Sequence, residues 1–295
     1  MNRANRSQMG ISMPPHNYEA ATDKGLMRGN NEDCFLSLPA RGLWLVADGM
    51  GGHEAGEVAS DIVIKTIEKN ITAGESLVAA IQSAHESVLD AVKNGIGAEG
   101  MGSTVVALQS TDNEYQISWV GDSRAYLWTH DNTGGTLEQL STDHSYVQLL
   151  LASGAIGEDE VANHPDKNVI TQCIGSQDVD DVHVDTVKGQ WQQQQWILLC
   201  SDGLTDELSD EQIAQTLSTV NNPKDAVNKL MKQALHKGGR DNITVQVIES
   251  PLNRPSLTDR VWEWLPRIIG DRVLDGVLYG TAAICLMLLS YWILF

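Results

Sequence analysis

At 295 residues the chain has room for one large domain or two small ones, and 42% hydrophobic with 20% charged is the composition of a globular protein. Disorder throughout, collagen and a pure coiled coil are excluded. Thirty-nine Asp and Glu against 20 Lys and Arg leave a net charge of −19. Residues 251–295 hold four of each sign, so the whole excess lies in 1–250. Such a field repels nucleic-acid phosphates and anionic lipid, which excludes nucleic acid as a general partner and suits a protein that gathers cations.

Residues 1–17 mix Arg, Asn, Ser and Pro without an apolar run of seven, so they read as a disordered N-terminus with no secretory signal. Residues 18–250 show no internal repeat and read as one domain. Short apolar runs predict strands at 43–47, 104–108, 115–120, 125–128, 196–200 and 243–248, nearly all bounded by turn residues. The runs 115–120 and 125–128 are four residues apart, which predicts an antiparallel hairpin. Apolar residues recurring at three and four predict helices over 55–70 and 75–94. Ser209 with Gln212 forms a capping box, and Asn222-Pro223 opens a further helix. The glutamines at 192–195 read as a loop or hairpin tip. The expected fold is therefore α+β, with antiparallel sheets covered by pairs of helices. Cys34, Cys173, Cys200 and Cys285 lie in or beside apolar runs without any CxxC spacing, which argues against thiol, disulfide or zinc chemistry.

Residues 251–275 carry Val261, Trp262, Leu265, Ile268, Ile269 and Val273 at helical spacing, broken by Pro266. This amphipathic linker suits a membrane surface or the large domain equally. Residues 276–295 are uncharged; at about 1.5 Å rise each they span the roughly 30 Å hydrocarbon core and read as a transmembrane helix. Arg260, Arg267 and Arg272 precede it, so the expected arrangement is single-pass and tail-anchored, with the large domain cytoplasmic.

The chemistry lies where the strands end. The run at 43–47 stops at Asp48-Gly49, that at 115–120 at Gly121-Asp122, that at 196–200 at Ser201-Asp202-Gly203, and Asp241 stands just before 243–248. Strand ends of one sheet lie side by side, so these acids are expected to converge. Like charges a few ångströms apart do not stay ionised alone, and hard oxygen donors select Mg²⁺ or Mn²⁺ over soft metals. A single Asp-Gly is an ordinary turn; three at the ends of apolar runs form a pattern.

These residues resemble the metal-dependent Ser/Thr protein phosphatases, the PPM or type-2C family, in their bacterial form. The resemblance runs from about residue 22 to 248 and rests on Arg28-Gly-Asn-Asn-Glu-Asp33, Val46-Ala-Asp-Gly-Met-Gly-Gly-His53, Met101-Gly-Ser-Thr104, Val120-Gly-Asp-Ser-Arg-Ala-Tyr126, Asp143-His-Ser145, Ser201-Asp-Gly-Leu204 and Gly239-Arg-Asp-Asn-Ile-Thr244. It implies two antiparallel sheets packed as a sandwich and flanked by helices. It further implies that Asp48 bridges two Mg²⁺ or Mn²⁺ ions, that the Gly49 carbonyl holds one, and that Asp202 and Asp241 hold the other. Glu32 and Asp33 would act through metal-bound waters, Asp122 with Asp202 would hold a third, looser ion, and Arg28 would clamp the phosphate. A hydroxide shared by the two ions would attack phosphorus in line, so no protein nucleophile is needed. Arg28 offers a planar fork matching two phosphate oxygens, the alternative being a surface ion pair with Glu32 one turn on.

Some relatives carry a histidine two residues after the bridging aspartate to protonate the leaving alkoxide; here that position is Met50. His53 and a metal-bound water are the candidate donors, and His53 reads more readily as the start of the helix over 55–70, at the border of the site. His144 reads as a structural histidine. Residues 145–174 resemble the mobile flap of bacterial members, expected to influence substrate choice. The resemblance implies phosphorylated proteins as substrates and a bacterial eukaryotic-like Ser/Thr kinase as the opposing partner. The alternatives are a catalytically inactive phosphoprotein-binding module on the membrane and a structural cation store.

Overall fold

A computed structural model describes residues 17–253, apart from 53–54, 112, 132–133, 162–163, 180 and the side chain of Asp159. The expected N-terminal tail (save residue 17), His53, the linker beyond 253 and the transmembrane segment lie outside the described residues. Among the described residues no helix is long and apolar enough to cross a membrane.

In chain order the elements are β1 (Tyr18–Asp23), β2 (Asp33–Leu38), β3 (Leu43–Met50), α1 (Ala55–Ala73), α2 (Leu77–Lys93), β4 (Gly102–Ser103), β5 (Val105–Thr111), β6 (Glu114–Val120), β7 (Arg124–Thr129), β8 (Thr136–Gln139), α3 (Tyr146–Ala152), α4 (Glu158–Val161), β9 (Asp185–Gln190), β10 (Gln195–Cys200), α5 (Asp202–Thr205), α6 (Asp210–Ser218), α7 (Pro223–Lys237) and β11 (Ile243–Glu249). One antiparallel sheet runs β1-β11-β10-β7-β8; the other runs β2-β3-β5-β6-β9, with the short β4 paired to β3. The expected α+β sandwich is therefore present.

Central strands are apolar on both faces because both faces are covered. Along β3, Leu43, Leu45 and Ala47 pack under α1 and α2, whereas Trp44 and Val46 point to the other sheet. Leu198 and Cys200 of β10 pack against α6 and α7, while Ile197 and Leu199 meet Trp44 and Val106 between the sheets. Three buried clusters thus define a helix–sheet–sheet–helix stack. The capping signals act as expected: Ser209 and Gln212 close the capping box of α6, and Asn222 accepts from Asp225 N ahead of Pro223 in α7.

One expectation is corrected. Strands β6 and β7 do not form a hairpin: β6 pairs with β5 and β9, and β7 with β10 and β8. Both are buried on either face, so the Gly121–Ser123 turn serves better as a crossing from one sheet to the other. Of the two readings offered for 192–195, the loop is the one present: 191–194 link β9 to β10, which lie in different sheets, and Gln195 already belongs to β10.

Trp44 is fully buried at the sandwich centre. Trp44→Ala is expected to cost about 3–5 kcal/mol, read as a lower urea midpoint at unchanged slope.

Candidate active site

The acids gather at one end of the sandwich, and both sheets supply them. Asp48 lies within β3, which runs past its expected end because β2 and β4 pair with it: Asp33 stands opposite Asp48, and Gly49 opposite Ser103. Asp122 follows β6 in the same sheet. Asp202 opens α5 after β10, and Asp241 precedes β11, both in the other sheet. The expectation of strand ends from one sheet is corrected accordingly.

Each acid is held by its backbone surroundings. Thr104 Oγ1 accepts from Asp48 N at 3.1 Å and bonds Ser123 Oγ at 2.7 Å, while Ser103 Oγ donates to Asp48 O at 3.0 Å. The Met101–Thr104 motif is thus a brace joining Asp48 to the turn of Asp122. Gly49 is buried with its backbone against the first turn of α1: a Cβ there would lie 2.0 Å from Gly56 O and 2.7 Å from Glu32 O. The Glu32 backbone is fixed by Gly49 N donating to Glu32 O at 3.1 Å and by Glu32 N donating to Asn242 Oδ1 at 2.7 Å. Asn242 Nδ2 donates to Lys24 O and Asn30 O, so the residue after Asp241 ties down the whole 24–32 loop.

The Asp48 and Asp202 carboxyls act on each other across the sheets. Ser201 Oγ donates to Asp33 Oδ2 at 2.7 Å and accepts from Thr244 N. Burial, then neighbouring carboxylates, push these acids up. Asp33 reaches about 7 despite hydrogen bonds that pull it down. Asp202 reaches about 6, and Asp48 and Asp122 are raised well above the usual carboxylate range. Asp33 Oδ1 and Asp202 Oδ1 are buried without a hydrogen-bond partner. Hard, buried carboxylate oxygens in excess of their donors are a donor set that fits divalent cations. The acids nevertheless pair with one another and with Arg28: among the described residues no three His, Cys, Asp or Glu side chains are already arranged to hold an ion.

Arg28 does not pair with Glu32. Its Nη2 meets Asp241 Oδ2 at 2.6 Å, with the Arg28 side chain 53% exposed. His144 is structural: Nδ1 accepts from Gly121 N at 3.1 Å and Nε2 bonds Asp185 at 2.8 Å, which pins the crossing beside Asp122. The flap segment is fastened at its base, where Tyr146 N donates to Val169 O, and to the site through Asp206, which accepts from Lys167 Nζ at 2.8 Å and Asn168 Nδ2 at 3.1 Å. Burial raises all three described thiols, Cys200 to about 12, in keeping with inert cysteines.

Sequence reasoning passed over Glu207. Its side chain is 2% exposed and accepts from the backbone N, Nε and Nη2 of Arg240, clamping the loop that presents Asp241. The signal was legible only as Arg240 inside a motif, because its partner lies 33 residues away.

Two outcomes follow. An acid whose folded pKa is raised binds more protons folded than unfolded, so without divalent cations stability falls as pH climbs from about 4, where unfolded aspartates ionise, to about 7, where Asp33 ionises in the fold. The urea midpoint of cation-free protein should decline across that window; a midpoint that rises contradicts it. Gly49→Ala should abolish activity or folding, read by phosphate release and circular dichroism, because backbone oxygens occupy the Cβ position.

The chain matches the family model described as protein phosphatase 2C over residues 29–237. It is 33% identical over 247 residues to the serine/threonine phosphatase stp of Listeria innocua, covering 79% of this chain and 96% of that one. It is 35% identical over 238 residues to the serine/threonine protein phosphatase PstP of Mycobacterium tuberculosis, covering 79% of this chain and 44% of that longer protein. A crystal structure of the PstP catalytic domain in complex with two manganese ions superposes with a TM-score of 0.68 at 33% identity, covering 79% of this chain and 97% of that one. With the four-layer fold and the acid cluster, these likenesses establish that the chain belongs to the protein phosphatase 2C family and is a serine/threonine phosphatase.

Proposed function

We propose that this phosphatase is anchored in a membrane by residues 276–295 and hydrolyses phosphoserine and phosphothreonine of cytoplasmic or membrane-associated proteins with two Mg²⁺ or Mn²⁺ ions. The observation that carries the reading is the convergence of Asp48, Asp122, Asp202 and Asp241, with Asp33, at one end of the sandwich, where burial and neighbouring carboxylates raise the carboxyls of Asp33, Asp48, Asp122 and Asp202. The two manganese ions named for the PstP structure support the choice of metal.

Asp48 would bridge the pair, the Gly49 carbonyl would hold one ion, and Asp202 with Asp241 the other, with Glu32 and Asp33 acting through waters. Asp122 with Asp202 would hold a looser third. Bound there, the ions supply Lewis acidity that lowers the pKa of a shared water from 15.7 towards neutrality. The chain's own residues supply the rest. Asp48 and Asp202, which burial and neighbouring carboxylates favour in the protonated form, would hold such ions as carboxylates. Arg28 is fixed at Asp241 by a single hydrogen bond, so the remaining donors of its planar fork are available to two phosphate oxygens, where they neutralise charge as it builds. Glu207 through Arg240, and Thr104 with Ser123, keep the acids aligned without touching substrate.

The inactive-module alternative predicts a lost ligand, whereas Asp48, Asp202, Asp241 and Arg28 are all present. The cation-store alternative leaves Arg28 without a purpose. The flap, held to Asp206, is the part of the mouth best placed to sort substrates, and a eukaryotic-like Ser/Thr kinase is the opposing partner.

Phosphate release from an aryl phosphate should require Mn²⁺, vanish with chelator and vanish in Asp48→Asn; equal rates in all three conditions would refute the metal mechanism. Arg28→Ala should lower kcat/KM about 10²-fold. Exchanging 150–170 for another member's flap should alter phosphoprotein preference and spare the aryl phosphate. The full chain should stay with salt-washed membranes, and its recovery in the soluble fraction would remove the anchor.

A further inference from the structure

On a chain of net charge −19 one face stands apart. Helices α6 and α7 enclose a groove of about 660 Å³ whose lining includes Lys229, Lys232, His236 and Lys237 together with Gln212 and Thr219. Lys229 and Lys232 fall on the face of α7 turned away from Leu230 and Ala234, which are buried, and Lys237 is the last residue of the helix. None of the three forms an ion pair among the described residues: Lys229 reaches only Thr219, and Lys237 only Gln212 Oε1. The acids nearest along the chain lie outside the lining: Asp225 is bonded by Asn222, Asp210 by Tyr126, and Glu207, which also acts on Lys237, by Arg240. Among the described residues no acid lines the groove, whose three lysines and His236 stand beside neutral side chains in a chain with 39 acids against 20 bases.

Both walls lead to the site. Helix α7 ends at Lys237, four residues before Asp241, a link that spans at most about 14 Å. Helix α6 begins at Asp210, eight residues after Asp202. From Lys229 to Lys237 the groove runs about 12 Å along the helix.

We propose that this groove receives an acidic segment of the phosphoprotein substrate while the phosphorylated residue occupies the site, an inference that rests on the phosphatase activity stated above. A concave slot between two helices fits an extended peptide, at about 3.3 Å per residue, better than it fits a flat bilayer. The distances place the favoured acids roughly four to eight residues from the phosphorylated one. Charge complementarity sets affinity and association rate, so the effect lies in KM and weakens with salt.

The test uses the full-length protein with Mn²⁺ at low salt. Phosphothreonine peptides carry three aspartates or three asparagines at that distance on either flank, beside an aryl phosphate as control. The acidic peptide of one flank should show a KM about tenfold below its neutral twin, and Lys229→Glu/Lys232→Glu should erase or invert that ratio while kcat and aryl phosphate turnover hold. If the charge reversal impairs the aryl phosphate reaction, Lys229→Met/Lys232→Met takes its place. An equal KM for acidic and neutral peptides, or a preference that survives the lysine changes, would overturn the proposal. So would loss of binding to phosphatidylglycerol vesicles with peptide KM unmoved, which would make the groove a lipid patch. Failure of the unaltered protein to turn over the aryl phosphate would strike the phosphatase reading itself and this proposal with it.

Discussion

Everything at the working end of this molecule follows from placing aspartates from two sheets where water is scarce. Asp33 and Asp48 are cross-strand neighbours, a position where like charges destabilise a sheet, and Asp202 closes on them from the opposite layer. Folding alone does not remove that cost; it is relieved by protons or by cations. The sandwich is the device that makes the crowding possible, since its apolar centre, with Trp44, Ile197 and Leu199 at full burial, supplies the rigidity that the acid end works against.

The remaining motif residues are best understood as scaffolding for that arrangement. Gly49 lets β3 pass against α1 where any side chain would collide, Asn242 ties the loop of Arg28 and Glu32 to the strand of Asp241, and Ser201 keeps Asp33 oriented towards the acids. Glu207 with Arg240, and Asp206 with Lys167, extend the bracing outwards to the Asp241 loop and to the flap. Loss of such a brace displaces an acid without removing it, so activity can fail at a distance from the reacting atoms.

What could be read in advance depended on where each strand sits. Every strand with neighbours on both sides, β3, β5, β6, β7, β10 and β11, was legible as an apolar run, because burial on both faces demands one. The strands not foreseen are the four sheet edges β1, β2, β8 and β9, with the two-residue β4. Most of their positions are half-buried, with exposed ones in β1, β8 and β9, so they lack the continuous burial that writes an apolar run. The site acids were legible because Asp at the end of an apolar run is a local feature. The assignment of strands to sheets was not, since the Gly121–Ser123 turn suits a hairpin or a crossing and only the packing of both strand faces decides. Long-range partners such as Glu207 for Arg240, Ser201 for Asp33 and Asp241 for Arg28 leave no local trace.

If the acids hold protons in the cation-free fold, binding of a divalent ion must expel them. Calorimetric titration with Mn²⁺ near pH 6 in buffers of differing ionisation enthalpy measures that release. The account predicts protons released on binding, fewer as pH passes about 7, and a reduced number in Asp202→Asn. Tight Mn²⁺ binding with no proton release at any of these pH values would contradict it.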